Sequence, residues 1–210
     1  MLYLLDANVL ITANSLYYPI DQVPEFWSWL QHKATSGHVK VPFEILEEVL
    51  AGRPDEPLID WLSVDESRIA LELDEAAGAN LVQRVVTIGY ANDPTDDEIQ
   101  ELGRDPFLIA YALSDSADRC VVTTEVSKPS RRRQNRKIPD VCDSLGVRCC
   151  GPFELNRELG EPVTNTMASA GRCTHRNAVG GVDRRLLREW LDVLTPAKAA
   201  KHKLGFAFSK

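Results

Sequence analysis

Tyr3-Leu4-Leu5-Asp6-Ala7-Asn8 is the stretch that decides the fold. Three apolar residues in a row suit a short buried strand. Asp6 and Asn8 are both good helix starters, because their side-chain oxygens can accept from a free backbone N–H. A helix is expected over residues 9–17, so strand passes directly into helix. The same alternation returns further along. Val39-Lys40-Val41 reads as a second strand, and Pro42 starts a helix that ends near Gly52. Cys120-Val121-Val122-Thr123 is a β-branched third strand, and residues 147–149 form a fourth. Short apolar strands separated by helices predict an α/β fold around a central parallel sheet.

The remaining helices follow from local signals. Pro24 opens one that carries Phe26, Trp27, Trp29 and Leu30 and stops near Gly37. Residues 54–62 and 69–88 read as helical. Thr95-Asp96-Asp97-Glu98 is a capping box, with the Glu three residues after the Thr. Asp105-Pro106 opens a helix over residues 107–116. Two more run over residues 138–145 and 152–159. The stretch 161–182 is rich in Thr, Asn, Gly and Ala. After it, Asp183 can cap a helix with Leu187, Trp190, Leu191 and Leu194 on one face, ended by Pro196. The chain therefore divides into a main domain, residues 1–160, and a basic C-terminal extension, residues 161–210.

A chain of 210 residues buries enough surface to fold without disulfide or metal. No apolar run approaches the ~18 residues of a membrane span, and the N-terminal segment lacks a signal peptide's basic start. Five cysteines without a CxxC pair argue against a disulfide framework or a zinc site, which makes a cytoplasmic location the expectation. No phosphate-binding glycine loop or nucleophile elbow occurs. The net charge of −7 is unevenly spread. Residues 1–156 hold 14 Lys and Arg against 26 Asp and Glu, a net of −12, and residues 157–210 hold 10 against 5, a net of +5. An acidic body can act on a polyanion if divalent metal neutralises its carboxylates.

Ligands of open α/β sheets bind at the carboxyl ends of the strands. Asp6 and Glu125 follow strand ends, Asp105 opens the helix that leads into the third strand, and Glu48 lies in the helix after the second. Four carboxylates suit Mg²⁺ or Mn²⁺, and such a site can hydrolyse phosphodiesters. Each has a plainer reading: Asp6 and Asp105 as helix caps, Glu125 as an exposed loop residue. Glu44 points away from the apolar face of its helix and reads as solvated. Glu47 and Glu48 flank that face symmetrically, and helix geometry does not choose between them. Asp93, Asp96, Asp97, Glu98 and Glu101 read as a solvated acidic helix start. Lys128, Arg131, Arg132, Arg133, Arg136 and Lys137 form a basic loop suited to phosphate contact.

These segments together resemble the PIN-domain nucleases. Leu4-Leu5-Asp6-Ala7-Asn8-Val9-Leu10 is similar to their opening motif. Val41-Pro42-Phe43-Glu44-Ile45-Leu46-Glu47-Glu48-Val49 resembles the second, and the match to Glu48-Val49 selects Glu48. Arg104-Asp105-Pro106-Phe107 resembles the third. Val121-Val122-Thr123-Thr124-Glu125 resembles the fourth, with Glu125 where many members carry Asp. Ile138-Pro139-Asp140-Val141-Cys142 is similar to the late helix of a PIN-like branch. The resemblance spans residues 1–160. It implies a PIN-like three-layer fold and a metal-dependent endoribonuclease, in many members the toxin of a toxin–antitoxin pair. Asp6, Glu48 and Asp105 would then hold Mg²⁺ or Mn²⁺, with Glu125 joining them or acting through water. Asn8, Thr123 and Thr124 would bond ligands or bound water. RNA and a cognate antitoxin protein are the implied partners, a homodimer stays open, and no membrane is involved. Trp27, Trp29 and Leu30 would anchor such a partner or pack in the core. The alternatives are a catalytically silent PIN-like binding module and a housekeeping RNA or DNA nuclease of the same fold.

Overall fold

The computed structural model describes residues 1–53 and 56–160, so the C-terminal extension lies outside the described residues. Four parallel strands form one sheet in the order β2-β1-β3-β4. They are β1 (Leu2–Leu5), β2 (Val39–Lys40), β3 (Arg119–Val122) and β4 (Arg148–Cys150). Helices cover both faces, which makes three layers, as the alternation of strand and helix predicts.

β1 is central because its apolar run buries on both sides. It pairs with β2 at Tyr3↔Val39 and with β3 from Leu2↔Arg119 to Leu5↔Val122. Leu4, Val121 and Val39 are fully buried. α1 (Ala7–Thr12) follows β1 and continues as a π-helical turn, Ala13–Tyr17. α2 (Pro24–Thr35) buries Phe26, Trp27 and Leu30, and the Trp27 indole N–H donates to the Tyr18 carbonyl at 2.7 Å. Trp27 and Leu30 are therefore core residues and offer no surface anchor. Trp29, half-buried, packs against the core edge.

α3 (Phe43–Leu50) starts after Pro42, and α4 (Pro57–Leu62) and α5 (Asp65–Leu71) follow. The helix expected over residues 69–88 is divided. Val41 N–H donates to Leu71 O (2.8 Å) and Leu73 N–H to Val41 O (3.0 Å), so this backbone extends the sheet edge instead. The chain re-enters a helix at α6 (Ala79–Arg84), which continues as a π-helical turn, Val85–Tyr90. α7 (Asp96–Glu101) carries the expected capping box, with both Thr95 and Glu98 bonds present. α8 (Asp105–Leu113) is apolar almost all round and buried between neighbours, and α9 (Ile138–Leu145) and α10 (Pro152–Leu159) complete the layers.

Gly89 is where the π-helical turn touches α9. A Cβ there would meet Val141 Cγ1 at 2.6 Å, well inside van der Waals contact. Gly89→Ala should therefore destabilise the domain by about 1–3 kcal/mol through overpacking. Urea unfolding of the two proteins checks this, and an unchanged midpoint would mean that the turn shifts freely.

Candidate functional site

The site begins with Asp6, which is 2% exposed at the end of β1. Its N–H donates to Val122 O at 2.9 Å, so pairing with β3 runs one residue past the strand. It occupies the cap position of α1, and its side chain accepts from the Thr123 hydroxyl at 2.8 Å. That hydroxyl in turn accepts from the Glu125 N–H at 3.1 Å. Burial pushes the Asp6 carboxyl above its ordinary range, against the hydrogen bonds from Thr123 and Asn8.

Asp105 is the first helical residue of α8, between Arg104 at the cap and Pro106, so it is not the cap itself. Its carboxyl is pushed up to about 7, chiefly by burial and then by the charges of Asp6, Glu125 and Glu48, while Lys137 pulls it down. Glu48 is raised by burial and by Asp6, and Arg104 opposes both. The two borders of α3 thus face different surroundings. Glu48 faces Asp6, and Glu47 approaches Arg68 at 3.8 Å.

Glu125 reaches the same cluster but is held from the other side. It accepts from the Lys137 ammonium and, through its second oxygen, from the Ile138 N–H at 2.9 Å. Thr124 faces away, into a small cavity bounded by Val9, Tyr17 and Phe153. Among the described residues no three of the acids converge closely enough to form a closed metal cage.

Two neighbours of the cluster were not singled out from sequence. Arg104 adjoins Asp105 in the chain and was visible there. Tyr90 was not, because only tertiary packing brings it close. Its side chain is 6% exposed, its hydroxyl has no partner among the described residues, and burial, followed by the Asp105 charge, raises its pKa. It is a protonated donor beside the carboxylates.

The basic loop is largely committed internally. Arg133, held at φ 54°, pairs with Asp93 (2.9 Å) and Glu98. It holds the Glu98 carboxyl down to about 2, ahead of the Thr95 N–H. Asp93 and Glu98 are therefore ion-pair partners rather than freely solvated acids. Arg136 donates to the carbonyls of Gly89 and Asp140 and to Ser144, and Lys137 serves Glu125. Arg132 donates to the Pro129 carbonyl at 2.7 Å. Asp140 of α9 accepts from the Lys128 N–H at 2.7 Å and from Ser127. Among the described residues, the ammonium of Lys128 and the guanidinium of Arg131 have no such partner, and both are exposed. Of the six basic side chains expected to contact phosphate, Arg133, Arg136 and Lys137 are thus engaged within the fold, and Arg132 is tethered to a carbonyl.

The model of a domain of unknown function, DUF4411, matches residues 3–162. The chain belongs to that family. No curated protein and no solved structure matches it. No described helix is long and apolar enough to cross a membrane.

The raised Asp105 pKa has a stability consequence in chelator-treated protein. The folded state keeps this proton up to about pH 7, while the unfolded chain loses it near the ordinary value of 3.8. Between these values the folded state binds more protons, so stability is full below pH 4 and falls as pH rises to 7. Asp105→Asn should remove that loss. Its gain over the parent should be absent at pH 4 and reach on the order of a few kcal/mol at pH 8. Thermal melts across this range check it, and a gain equal at both pH values would refute the raised Asp105 pKa.

Proposed function

We propose that this chain is a divalent-metal-dependent endoribonuclease with Asp6, Glu48 and Asp105 at its centre. One observation carries the reading. Asp6, Glu48, Asp105 and Glu125 lie in one another's field, with Lys137 and Arg104 opposing them, and Asp105 is pushed up to about 7, chiefly by burial and then by these charges. A divalent cation there would offset the mutual repulsion of these carboxylates. The donor set also fits, since hard oxygens suit Mg²⁺ or Mn²⁺. Mg²⁺ usually takes one or two carboxylates and keeps several waters, so it does not require three converging acids. The unpartnered Tyr90 hydroxyl beside Asp105 suits a water or phosphate oxygen held there.

When bound, such a metal would activate water and neutralise phosphate charge. The protein's own groups do the rest. Thr123 fixes the Asp6 carboxylate, and the Tyr90 hydroxyl is left to donate to a bound water or phosphate oxygen. Asp105 can hold or release a proton at its carboxyl near neutral pH, the range that general acid–base chemistry needs. Lys128 and Arg131 lie on the loop that follows Glu125, where they meet the backbone of a bound strand. We further propose that the enzyme is the toxin of a toxin–antitoxin pair. Lys137 supports this, because it shows that an ammonium satisfies one of these acids, and a partner's Arg or Lys could do the same for the others.

Asp6→Asn, Glu48→Gln and Asp105→Asn should each abolish Mg²⁺- or Mn²⁺-dependent RNA cleavage, while Glu47→Gln stays near the parent rate. Cleavage of a labelled RNA decides this, and a dead Glu47→Gln would reassign the border of α3. Growth arrest on expression that disappears with Asp6→Asn would favour the toxin. Harmless expression of an active nuclease would favour an RNA-processing enzyme.

Lys128→Ala with Arg131→Ala should lower the slope of log K against log salt for RNA by about 1.4, at roughly 0.7 per contact. Filter binding across salt concentrations tests it, and an unchanged slope would return both residues to solvent.

A further inference from the structure

A groove of about 1170 Å³ opens beside α3, one helical turn before Glu48. Phe107 and Tyr111 of α8, Val82, Val86, Phe43 and Ile99 line it. Phe43 and Ile99 are large apolar side chains left 44% and 46% exposed. Four carboxylates line it, Glu44, Glu72, Asp74 and Glu75, and no Lys or Arg among the described residues does. Phosphate is disfavoured there, and so is RNA.

Three of the four acids are already balanced. Glu72 pairs with Arg68 at 3.3 Å, and Glu75 takes both arms of Arg119 at 2.8 and 2.9 Å. Asp74 lies in the field of Lys40. Glu44 is the exception. Sequence periodicity turns it to solvent, but its Oε2 is buried and has no partner among the described residues. The neighbouring Tyr111 hydroxyl, which donates to the Glu75 carbonyl at 3.1 Å, also bonds the Glu44 carboxylate, so Glu44 has a neutral neighbour but no cation among the described residues. Glu44 stands in the first turn of α3.

We propose that this groove docks an apolar segment of a partner protein through one Lys or Arg side chain seated against Glu44. The groove exceeds the ~300–1,000 Å³ of a small-molecule pocket, which favours a length of polypeptide. Apolar walls with one carboxylate that no cation of the described residues meets call for one cation among apolar residues, not a polybasic stretch. The inference does not depend on the nuclease reading, since Glu44 takes no part in the carboxylate cluster.

The test is to pan a display library of random 16-residue peptides against the full chain and to measure the recovered peptides by fluorescence anisotropy. They should carry one Lys or Arg among apolar residues. Glu44→Gln, which keeps the shape, should weaken them at least about tenfold, the effect of losing a charged hydrogen bond. Ala77→Trp, which fills the groove, should abolish binding. RNA cleavage by Glu44→Gln should match the parent. No recovered peptide above background would overturn the proposal. So would peptides indifferent to both substitutions, or apolar peptides without a cation that bind Glu44→Gln as well as the parent.

Discussion

Everything at the carboxyl end of the sheet depends on burying one ionisable group, Asp6. A carboxyl this enclosed is costly unless it is hydrogen-bonded. Thr123 meets the requirement from the adjacent strand, which it can do only in the observed register, with Leu5 opposite Val122. A slip of one residue would turn the hydroxyl to the other face of the sheet. The same hydroxyl accepts from the Glu125 N–H, so the turn after β3 is tied to the end of β1. α8, buried on nearly all sides, then brings Asp105 to the cluster, and α3 brings Glu48. The acids are therefore fixed by sheet register and helix burial, not by one another, and their repulsion is borne by the core.

What the sequence made legible was what local chemistry determines. The apolar run Tyr3-Leu4-Leu5 meant a buried strand whatever surrounded it, and Thr95 with Glu98 formed a capping box from their spacing alone. The division of the helix expected over residues 69–88 was not legible, because its cause is a partner strand: Val41 offers Leu71 and Leu73 sheet bonds across some thirty residues of chain. Glu44 misled for a related reason. It does point away from the apolar stripe of α3, but α8 and the segment after α5 form a wall on that side. An amphipathic pattern gives the direction of a side chain and not what stands opposite.

The basic loop is the sharper lesson in charge. Six cations in ten residues look like a phosphate-binding surface when the chain is read linearly. In the fold, Arg133 is spent on Asp93 and Glu98, Arg136 on backbone carbonyls, and Lys137 on Glu125. Those pairs anchor the loop to α7, to the π-helical turn and to α9. The cations that look available for RNA hold the site's own walls, and the residues left over are the ones that contribute least to the fold.

Glu125 shows how the two systems meet. It belongs to the acid cluster, since it raises both Asp6 and Asp105, yet both its oxygens are engaged by Lys137 and the start of α9. A carboxylate so held is poorly placed to move onto an ion, because leaving Lys137 would strand an ammonium beside the cluster. Its contribution is better understood as a fixed one. It holds Lys137 within range of Asp105, where the ammonium opposes the burial and the acids that raise the Asp105 carboxyl. The glutamate at this position, with a longer reach than an aspartate, is what allows it to span from the end of β3 to the first turn of α9 while Thr123 stays bound to Asp6.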